Sequence, residues 1–546
     1  MDTNGVVAFI TPEMGIDQSL HTYTGGLGFL GGEFLRSAHS MDKPFVAVSL
    51  LYRCGYYDQY IEDGKMAIGY ERRYYRDILE PTGIKFPIEI CHEPVWIEVL
   101  RLPRGRFDNA ECYFLDCDIE ENNAESRANT LYVYGGARDT GSNMERVIAQ
   151  SIVLGKGSIE ALRLLNIPVA LYHLNESHTA FAGITLVEQF LRVGMSLEQA
   201  IDIARQKIVF STHTPVSDGN PQYPLYTDDG RNCVEFLWGC DDVITRNVLE
   251  QIGGSPFNMA AACMRLAKRV NAVSQRHLEV ARDMWHWVRG DDNPITYVTN
   301  GVNRDFWQLP EFRNATTSRE LRRAKRMHKR RLLAHIAETT GKYLSEYNLL
   351  VVWARRFAEY KRPKMLFYDY EWIANLLRRS TIQVVIAGKP HPDNFGMIDA
   401  WNELLGISRY MPNMVVLPGY EMELSKLCKA GADVWLNTPR APLEACQTSG
   451  MSATMNGAIH MSIPDGWVCE ANADNAFIFG TRYPLVDQDA FDLQGLKKQT
   501  HRAIDMYYDS AHEWYEMALR GKHESETQWT SDRMLSEYWD RMYFPR

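Results

Sequence analysis

Two basic residues, Arg356 and Lys361, stand five positions apart in the segment ARRFAEYKR (354–362). They follow the apolar run LLVVWA, so they lie where a strand gives way to a loop or helix. A cationic pair that faces a crevice suits phosphate oxygens, and each charge-assisted contact contributes about 1.5–3 kcal/mol. The pair predicts a phosphate site, with a surface cluster of cations as the alternative for this segment taken alone.

One carboxylate and two histidines are further candidates for ligand contacts. Glu444 ends the segment NTPRAPLE, where it could accept hydrogen bonds from hydroxyl groups or act electrostatically at the start of a helix. His213 and His178 follow apolar runs, and for each of them a satisfied core histidine is the alternative to a ligand contact.

A glycine-rich segment, YTGGLG, supplies Gly25, Gly26 and Gly28 before a predicted helix. Glycines there allow close backbone approach, and the N–H groups of a helix N-terminus can receive a phosphate. A tight turn is the alternative, because the segment lacks the lysine of a phosphate-binding loop. Asp116 and Asp118 form an Asp-x-Asp pair, but nothing around them supports a metal site, and we expect none.

The segments that must position these residues alternate between short apolar runs and helical patterns. Continuous apolar strands separated by helices predict parallel sheets that are covered on both faces. Two series of such runs predict two doubly wound lobes. The runs span residues 6–12, 44–52, 169–177, 207–215 and 295–301 in the first series, and 349–356, 382–389, 414–420 and 432–438 in the second.

We assign residues 1–305 to an N-terminal lobe, 306–505 to a C-terminal lobe and 506–546 to a closing helical segment. Ligands bind at the carboxyl ends of strands in open α/β sheets, so the polar clusters there are expected to share one crevice. Ser318 could cap a helix that carries many Arg and Lys residues. This helix is predicted to be solvated, with a polyanion-binding strip as the alternative.

The bulk composition excludes several classes of function. The net charge of −10 argues against nonspecific nucleic-acid binding, because no basic surplus can neutralise phosphates. The amino terminus lacks a basic region before an apolar stretch, and no apolar run approaches the roughly 20 residues that span a bilayer. The ten cysteines form no CxxC pair, which is typical of reduced thiols. We expect a cytoplasmic protein without nucleic-acid or membrane partners.

Taken in order along the chain, the motifs resemble those of the α-glucan phosphorylases, especially the shorter bacterial and archaeal type. The matching stretches are YTGGLG, YGG (134–136), HLNESHTAF, STHTPV, NAVSQRH, VTNGV, ARRFAEYKRP, AGKPHP, DVWLNTPRAPLEA and SDRM. The resemblance implies an α/β protein of the GT-B glycosyltransferase type, with two Rossmann-like lobes, an active-site cleft between them and a last helix that crosses back. A homodimer is a further possibility.

The resemblance also implies roles for matching positions. The glycine loop would approach the transferred phosphate, His213 would contact the donor sugar, and Glu444 would bind sugar hydroxyls. Arg356 and Lys361 would bind phosphate. Three further residues in the matching stretches are assigned to the acceptor side (Glu176 and His178) and to the donor side (Asn300).

Ser452 departs from the family pattern. Phosphorylases hold pyridoxal phosphate through a Schiff base to a lysine in the segment T-[SG]-x-M-K, and this chain reads TSGMS there. A serine hydroxyl cannot form an imine, because imine formation requires an amine. No lysine occurs between Lys429 and Lys497, and Cys446-Gln447 replaces the usual Ser-Gly. We therefore expect no pyridoxal phosphate and no other cofactor.

The same position offers a positive interpretation. Nucleotide-sugar enzymes of this two-lobed class carry a Glu-x7-Glu pattern whose second Glu binds the ribose, and Ser452 occupies that slot relative to Glu444. A serine hydroxyl can also bond a ribose hydroxyl. Tyr420 is predicted to stack on the base, with a core tyrosine as the alternative. The other residues predicted to contact the donor are Gln447, Thr448, Ser449 and Gly450.

These observations predict a retaining glycosyltransferase that moves a sugar from a nucleotide-diphosphate sugar to a small-molecule or oligosaccharide acceptor. Three alternatives stay open. The chain could be an α-glucan phosphorylase that binds pyridoxal phosphate without the imine, a catalytically silent sugar-binding homologue, or a hydrolase that needs no phosphate.

Overall fold

The computed structural model describes residues 5–136, 143–216, 219–290 and 294–545, so residues 1–4 of the amino-terminal segment lie outside it. The chain forms two compact units. The first unit comprises Met1–Tyr57, Tyr70–Thr299 and Met534–Arg546, and the second comprises Asp58–Gly69 and Asn300–Arg533. The division at Thr299 falls a few residues before the predicted boundary at 305, and the predicted closing segment 506–546 is itself divided at Met534.

The strands contribute to one large sheet in each unit and to two small antiparallel pairs. In chain order they are β1 (Val6–Ile10), β2 (Phe45–Leu50), β3 (Asp58–Glu62), β4 (Lys65–Gly69), β5 (Glu80–Ile90), β6 (Glu93–Leu102), β7 (Glu111–Asp116), β8 (Val169–Asn175), β9 (Ile208–Ser211), β10 (Gln222–Tyr223), β11 (Phe257–Asn258), β12 (Arg269–Ala272), β13 (Thr296–Tyr297), β14 (Leu349–Ala354), β15 (Ile382–Ala387), β16 (Met414–Leu417), β17 (Val434–Asn437), β18 (Ile459–Ser462) and β19 (Ala476–Ile478).

Helices connect most of these strands and cover the two large sheets. They are α1 (Gly26–Ser40), α2 (Ala124–Arg127), α3 (Asn143–Leu164), α4 (Ala180–Arg192), α5 (Leu197–Gln206), α6 (Val234–Trp238), α7 (Arg246–Gly253), α8 (Met259–Leu266), α9 (Gln275–Arg289), α10 (Arg304–Trp307), α11 (Pro310–Arg313), α12 (Ser318–Thr340), α13 (Tyr370–Arg378), α14 (Phe395–Tyr410), α15 (Met422–Gly431), α16 (Thr448–Met455), α17 (Gln488–Asp509), α18 (Ala511–Gln528) and α19 (Ser531–Glu537). Among the described residues, none of the helices has the length and apolar character needed to cross a bilayer.

The predicted parallel sheets are confirmed in both units. The second unit has six strands in the order β16-β15-β14-β17-β18-β19, and every neighbouring pair is parallel. The first unit has nine strands in the order β13-β12-β9-β8-β1-β2-β7-β6-β5. Its last two pairings are antiparallel and were not predicted, because β5 alternates buried and exposed residues at the sheet edge instead of forming a continuous apolar run.

The strands that end near the predicted polar residues are buried along almost their whole length. All six residues of β14 and all six of β15 are buried, as expected for central parallel strands with helices on both faces. The two units have separate hydrophobic cores, one around Phe9 and Phe34 and the other around Trp353 and Trp401. Each core therefore fixes the carboxyl ends of its own sheet.

The predicted solvated basic helix capped by Ser318 is corrected in two respects, since Thr317 is the cap and some of the basic residues are buried. Thr317 caps α12 and forms a capping box with Glu320, so the helix begins one residue after its cap. Lys325 is buried, and its ammonium group donates to the backbone carbonyl oxygens of Ala430 (2.9 Å) and Asn456 (3.2 Å), which lie at the ends of α15 and α16. A cation at two helix C-termini is electrostatically favourable.

Only the last part of the closing segment, from Met534, belongs to the first unit, and the segment is not one continuous helix. After α18 ends at Gln528, α19 runs from Ser531 to Glu537 and continues as a π-helical turn, Tyr538–Tyr543. The hydroxyl of Tyr543 lies 2.7 Å from Nδ1 of the buried His173. This polar contact ties the carboxyl terminus to β8, at the centre of the first sheet.

Candidate active site

Three charged side chains meet at the carboxyl end of β14 in the second unit. Arg355 follows that strand directly, Lys361 lies in the short 3-10 turn after it, and Glu444 lies between β17 and α16. Arg355 Nη2 donates to Glu444 Oε2 at 2.6 Å, and Lys361 Nζ donates to both carboxylate oxygens at 2.9 Å. All three side chains are less than a tenth exposed. We call these three residues the charged cluster.

The charged cluster contains two cations and one carboxylate, so one buried positive charge is not balanced within it. Two further nitrogens of Arg355, Nε and Nη1, are buried without a hydrogen-bond partner among the described residues. Burying an unpaired donor costs free energy, and burying an unpaired charge costs more. The cluster is therefore suited to receive an anion.

Glu444 remains ionised at neutral pH. Burial alone would raise the pKa of its carboxyl group, but the charges of Arg355 and Lys361 and their hydrogen bonds hold that pKa below the ordinary value of 4.5. The backbone N–H of Glu444 donates to Asp465 Oδ2 at 2.9 Å, which fixes the loop that carries it.

The effect of Glu444→Gln on stability is expected to depend on pH. Because the folded-state pKa lies below the unfolded value, ionised Glu444 stabilises the fold fully above about pH 4.5 and loses that effect as pH falls through the folded pKa. Urea unfolding should therefore show the largest difference between wild type and Glu444→Gln near neutral pH and a shrinking difference in acid. Glu403→Gln, at an exposed ion pair with Lys364, is the control. A difference that grows in acid would contradict the assignment.

The arginine predicted from the sequence to bind phosphate is Arg356, the neighbour of Arg355. Arg356 is exposed, whereas Arg355 is buried beside Glu444, since successive residues at the end of a strand face opposite sides. The predicted Arg356–Lys361 pair is corrected in this respect: the arginine that lies with Lys361 in the charged cluster is Arg355. A contact of Arg356 with a ligand phosphate stays a prediction.

Gln447 precedes α16 in the left-handed backbone conformation, with φ 75° and ψ 44°. Glycine adopts this conformation without strain, but a side chain does so only when its surroundings hold it. Gln447 Nε2 donates to Ser462 Oγ at 3.0 Å, and the Gln447 carbonyl oxygen accepts from Trp467 Nε1 at 3.0 Å. The long amide is thus bound to β18, and its predicted contact with the donor is not supported by this arrangement.

Ser452 lies inside α16 and is only 1% exposed. Its hydroxyl donates to the carbonyl oxygen of Ser449, 3.2 Å away on the preceding turn. This placement contradicts the predicted ribose contact, because the hydroxyl is buried and occupied by its own helix. Thr448 and Ser449 lie one turn earlier and remain partly exposed, so the start of α16 is the part that a ligand can reach.

His460, on β18, was not predicted from the sequence. It is 2% exposed, and Asn437 Nδ2 lies 2.8 Å from its Nε2. Its ring is parallel to that of Trp467 with centroids 5.5 Å apart. A Cβ atom on Gly450 would lie 2.6 Å from the imidazole, so the predicted donor residue Gly450 is a glycine because the ring packs against it. Burial and then the charge of Arg355 lower the pKa of His460 to about 3.

The residues around α16 do not fit covalently bound pyridoxal phosphate. Ser452 offers no amine, and the buried lysines of the second unit are engaged elsewhere. Lys361 is bound to Glu444, Lys325 to backbone carbonyls, and the ammonium group of Lys429 lies 3.4 Å from the ring centroid of Trp307. An imine therefore cannot form at position 452.

Two other donor-side predictions have different outcomes. Asn300 is buried with its carbonyl oxygen bonded to Arg533, and its side-chain Oδ1 has no hydrogen-bond partner among the described residues. That free acceptor is compatible with a ligand contact. Tyr420 instead donates its hydroxyl to the carbonyl oxygen of Ala354 at 3.1 Å and packs against the core. The alternative of a core tyrosine is favoured over base stacking.

In the first unit, the structure brings Glu176 and His213 together. Glu176 is buried at φ 77°, and its carboxylate accepts the backbone N–H of His213 at 2.9 Å. His213 Nε2 lies 2.7 Å from Asn175 Oδ1, and burial together with His277 lowers the pKa of His213 to about 3. His213 is therefore neutral at neutral pH and suits a sugar hydroxyl better than a phosphate.

His178 lies in the same unit, with its ring centroid 4.9 Å from that of Tyr134. Burial lowers its pKa to about 4, and Nδ1 is buried without a partner among the described residues. His178 is thus a neutral side chain with one unused nitrogen. The roles of His178 and Glu176 toward an acceptor, and of His213 toward the donor sugar, stay predictions.

The glycines at the start of α1 differ in what they face. A Cβ atom on Gly28 would lie 2.4 Å from Tyr23 Cβ, so packing requires that glycine, whereas the same atom on Gly25 or Gly26 would meet open space. The carboxylate of Glu13, which was not predicted, accepts the Thr24 backbone N–H at 2.7 Å. A negative charge beside the loop weakens its attraction for phosphate, which makes the loop alone a poor anion site.

The Asp-x-Asp pair is held by arginines. Asp116 bonds Arg53, and Asp118 bonds Arg127 at 2.9 Å. Across the described ranges, no group of three or more His, Cys, Asp or Glu side chains is arranged to hold a metal ion. All ten cysteines lie within those ranges and are free thiols.

Comparison with known proteins found one matching family and several relatives that are similar over nearly the whole chain. The family described as carbohydrate phosphorylase matches residues 306–492, which include the whole charged cluster. An uncharacterized protein of Methanocaldococcus jannaschii is 36% identical over 98% of this chain and 99% of its own length. Maltodextrin phosphorylase of Thermococcus litoralis is 29% identical over 98% of this chain and 70% of its own, and glycogen phosphorylase of Aquifex aeolicus is 29% identical over 98% and 86%.

Proposed function

Because the chain belongs to the carbohydrate phosphorylase family, we propose that it is a retaining glycosyltransferase that works without pyridoxal phosphate. Its donor would be a nucleotide-diphosphate sugar and its acceptor a small molecule or an oligosaccharide. The observation that carries the proposal is the charged cluster, which keeps one buried cation in excess while position 452 offers no amine.

The excess cation matches the leaving group of such a donor. When the bond between the anomeric carbon and the phosphate oxygen breaks, the electron pair moves to the diphosphate. The unused nitrogens of Arg355 and the ammonium group of Lys361 would stabilise that charge. The acceptor oxygen forms the new bond on the same face of the sugar, and its proton passes to the departing phosphate oxygen.

Glu444 keeps enough acceptor capacity to bind the sugar at the same time. An ionised carboxylate offers about four acceptor sites. Oε2 accepts from both Arg355 and Lys361, whereas Oε1 accepts only from Lys361 among the described residues. One lone pair on Oε1 would therefore receive a sugar hydroxyl without breaking the charged cluster.

Phosphorolysis of an α-glucan with non-covalent pyridoxal phosphate is the second candidate function. It is favoured by the two relatives named as phosphorylases, each of which matches 98% of this chain. The buried position of Ser452 and the imidazole packed on Gly450 weigh against a cofactor ring placed against α16.

A binding screen separates these functions. The purified full chain is titrated with uridine-, adenosine-, guanosine- and thymidine-diphosphate sugars, and in parallel with pyridoxal phosphate plus inorganic phosphate. We expect one nucleotide sugar to raise the melting temperature, since a ligand at 100 times its Kd stabilises a protein by about 2.7 kcal/mol. Sugar phosphate released from a glucan only after pyridoxal phosphate is added would establish the second candidate. Stabilisation by none of these compounds would overturn both.

A further inference from the structure

We propose that His460 is a further donor-binding residue, whose uncharged Nδ1–H bonds the same anion as Arg355. This inference rests on the proposed function, because it requires an anion at the charged cluster. It adds a third kind of group to that site, a neutral donor on β18.

The hydrogen bond on the far side of the ring determines which nitrogen carries the proton. In the orientation that the Asn437 amide has here, its Nδ2 donates to His460 Nε2, 2.8 Å away, and its Oδ1 is buried without a partner among the described residues. The proton of the neutral ring therefore sits on Nδ1. That nitrogen is buried and has no partner among the described residues.

A core histidine elsewhere in the chain shows what a purely structural role looks like. His173 is fully buried in the first unit, and both of its nitrogens are bonded, Nδ1 to the hydroxyl of Tyr543 and Nε2 to that of Ser211. His460 is equally buried but uses one nitrogen only. The unused donor of His460 is therefore open to an acceptor from a ligand, as are Nε and Nη1 of Arg355.

The ring is held in one orientation and in one charge state. Trp467 lies parallel to it, Asn437 bonds its Nε2, and Gly450 leaves the space that the imidazole fills. Arg355 is the charged group that acts on it, and together with burial it keeps the ring neutral. A second cation next to Arg355 would be repelled, whereas a neutral N–H adds a directed hydrogen bond without adding charge.

The test uses inorganic pyrophosphate as the probe and isothermal titration of the full chain. His460→Phe keeps a flat ring against Trp467 and removes the N–H. We expect it to bind pyrophosphate about 10- to 100-fold more weakly than wild type, the range for one hydrogen bond to a charged group. His501→Phe, at a ring bonded to Trp372 Nε1 near the surface, is the matched control and should bind like wild type.

The readouts separate this inference from the proposed function. If wild type does not bind pyrophosphate, the proposed function fails and this inference with it. If wild type binds, Arg355→Met does not, and His460→Phe binds as wild type does, only this inference is overturned. The affinity ratio of wild type to His460→Phe should stay constant between about pH 5 and 8, because the ring does not titrate there. A ratio that rises as pH falls would mean that the ring binds as a cation. If His460→Phe does not fold, His460→Met carries the same comparison.

Discussion

Replacing Lys361 with alanine is expected to lower turnover by about 10²- to 10³-fold while the protein still folds. Lys361 is one of two cations placed to stabilise charge on the departing phosphate, so its loss acts mainly when that charge develops. Folding is spared because the charged cluster then holds one cation and one carboxylate, Arg355 and Glu444, which still bond at 2.6 Å. No unpaired carboxylate is created.

The measurement is release of nucleotide from whichever nucleotide sugar the binding screen identifies, with the melting temperature recorded for each variant. Lys364→Ala is the matched control, because Lys364 lies in the same segment but pairs with Glu403 at the surface. It should leave turnover unchanged. Full activity in Lys361→Ala would remove the charged cluster from the mechanism, and a large fall in melting temperature would show that Lys361 is needed for folding.

The fold could be predicted from the sequence because its central strands have an unambiguous pattern. β14 is an uninterrupted apolar run and β15 is broken only by Gln383, as is typical of parallel strands that are covered on both faces. The edge strand β5 and its neighbour β6 alternate between buried and more exposed residues and were missed. Alternation over a strand of this kind is itself a recognised signal, so the antiparallel extension was readable in principle.

The candidate site was predicted in part. Charged residues that follow strands were expected to lie together, and Lys361 and Glu444 do. The choice between Arg355 and Arg356 depends on which way the chain turns after β14. His460 gave no signal, because the short strand β18, IHMS, matches no motif and its contacts with Asn437 and Trp467 exist only in the folded chain. Ser452 was given a ligand role from its spacing to Glu444, whereas the helix that carries it buries the hydroxyl. Tertiary packing decided each of these cases.

In the basic helix α12, too, tertiary packing decided which residues are buried. A substitution in this helix is expected to have the largest effect on stability. Lys325 and Lys329 fall four residues apart, in register with the buried Leu321 and Leu333. Side chains at this spacing share one face of a helix, so the pattern did contain a signal for burial. The prediction of a solvated helix rested on the number of Arg and Lys residues, and most of them are indeed solvated, so the buried face was overlooked.

Lys329→Met is expected to lower the free energy of unfolding by about 3–5 kcal/mol. Lys329 and Asp433 are 2% and 3% exposed and bond at 2.5 Å. Removing the lysine therefore leaves a buried carboxylate without its ion-pair partner. Asp433 Oδ2 also accepts the Leu350 backbone N–H at 2.9 Å, which links the pair to β14 and hence to the strand that positions Arg355. Destabilisation here should therefore also loosen the candidate site.

Urea unfolding of three variants tests this argument. Arg330→Met removes the neighbouring cation, whose bond to Glu346 lies at the surface, and should have little effect. The double variant Lys329→Met/Asp433→Asn should recover part of the lost stability relative to Lys329→Met, because no buried charge is left unpaired. If Lys329→Met proved as mild as Arg330→Met, the pair would have to be hydrated in solution. The original interpretation of α12 as a solvated basic helix would then hold for Lys329 as well.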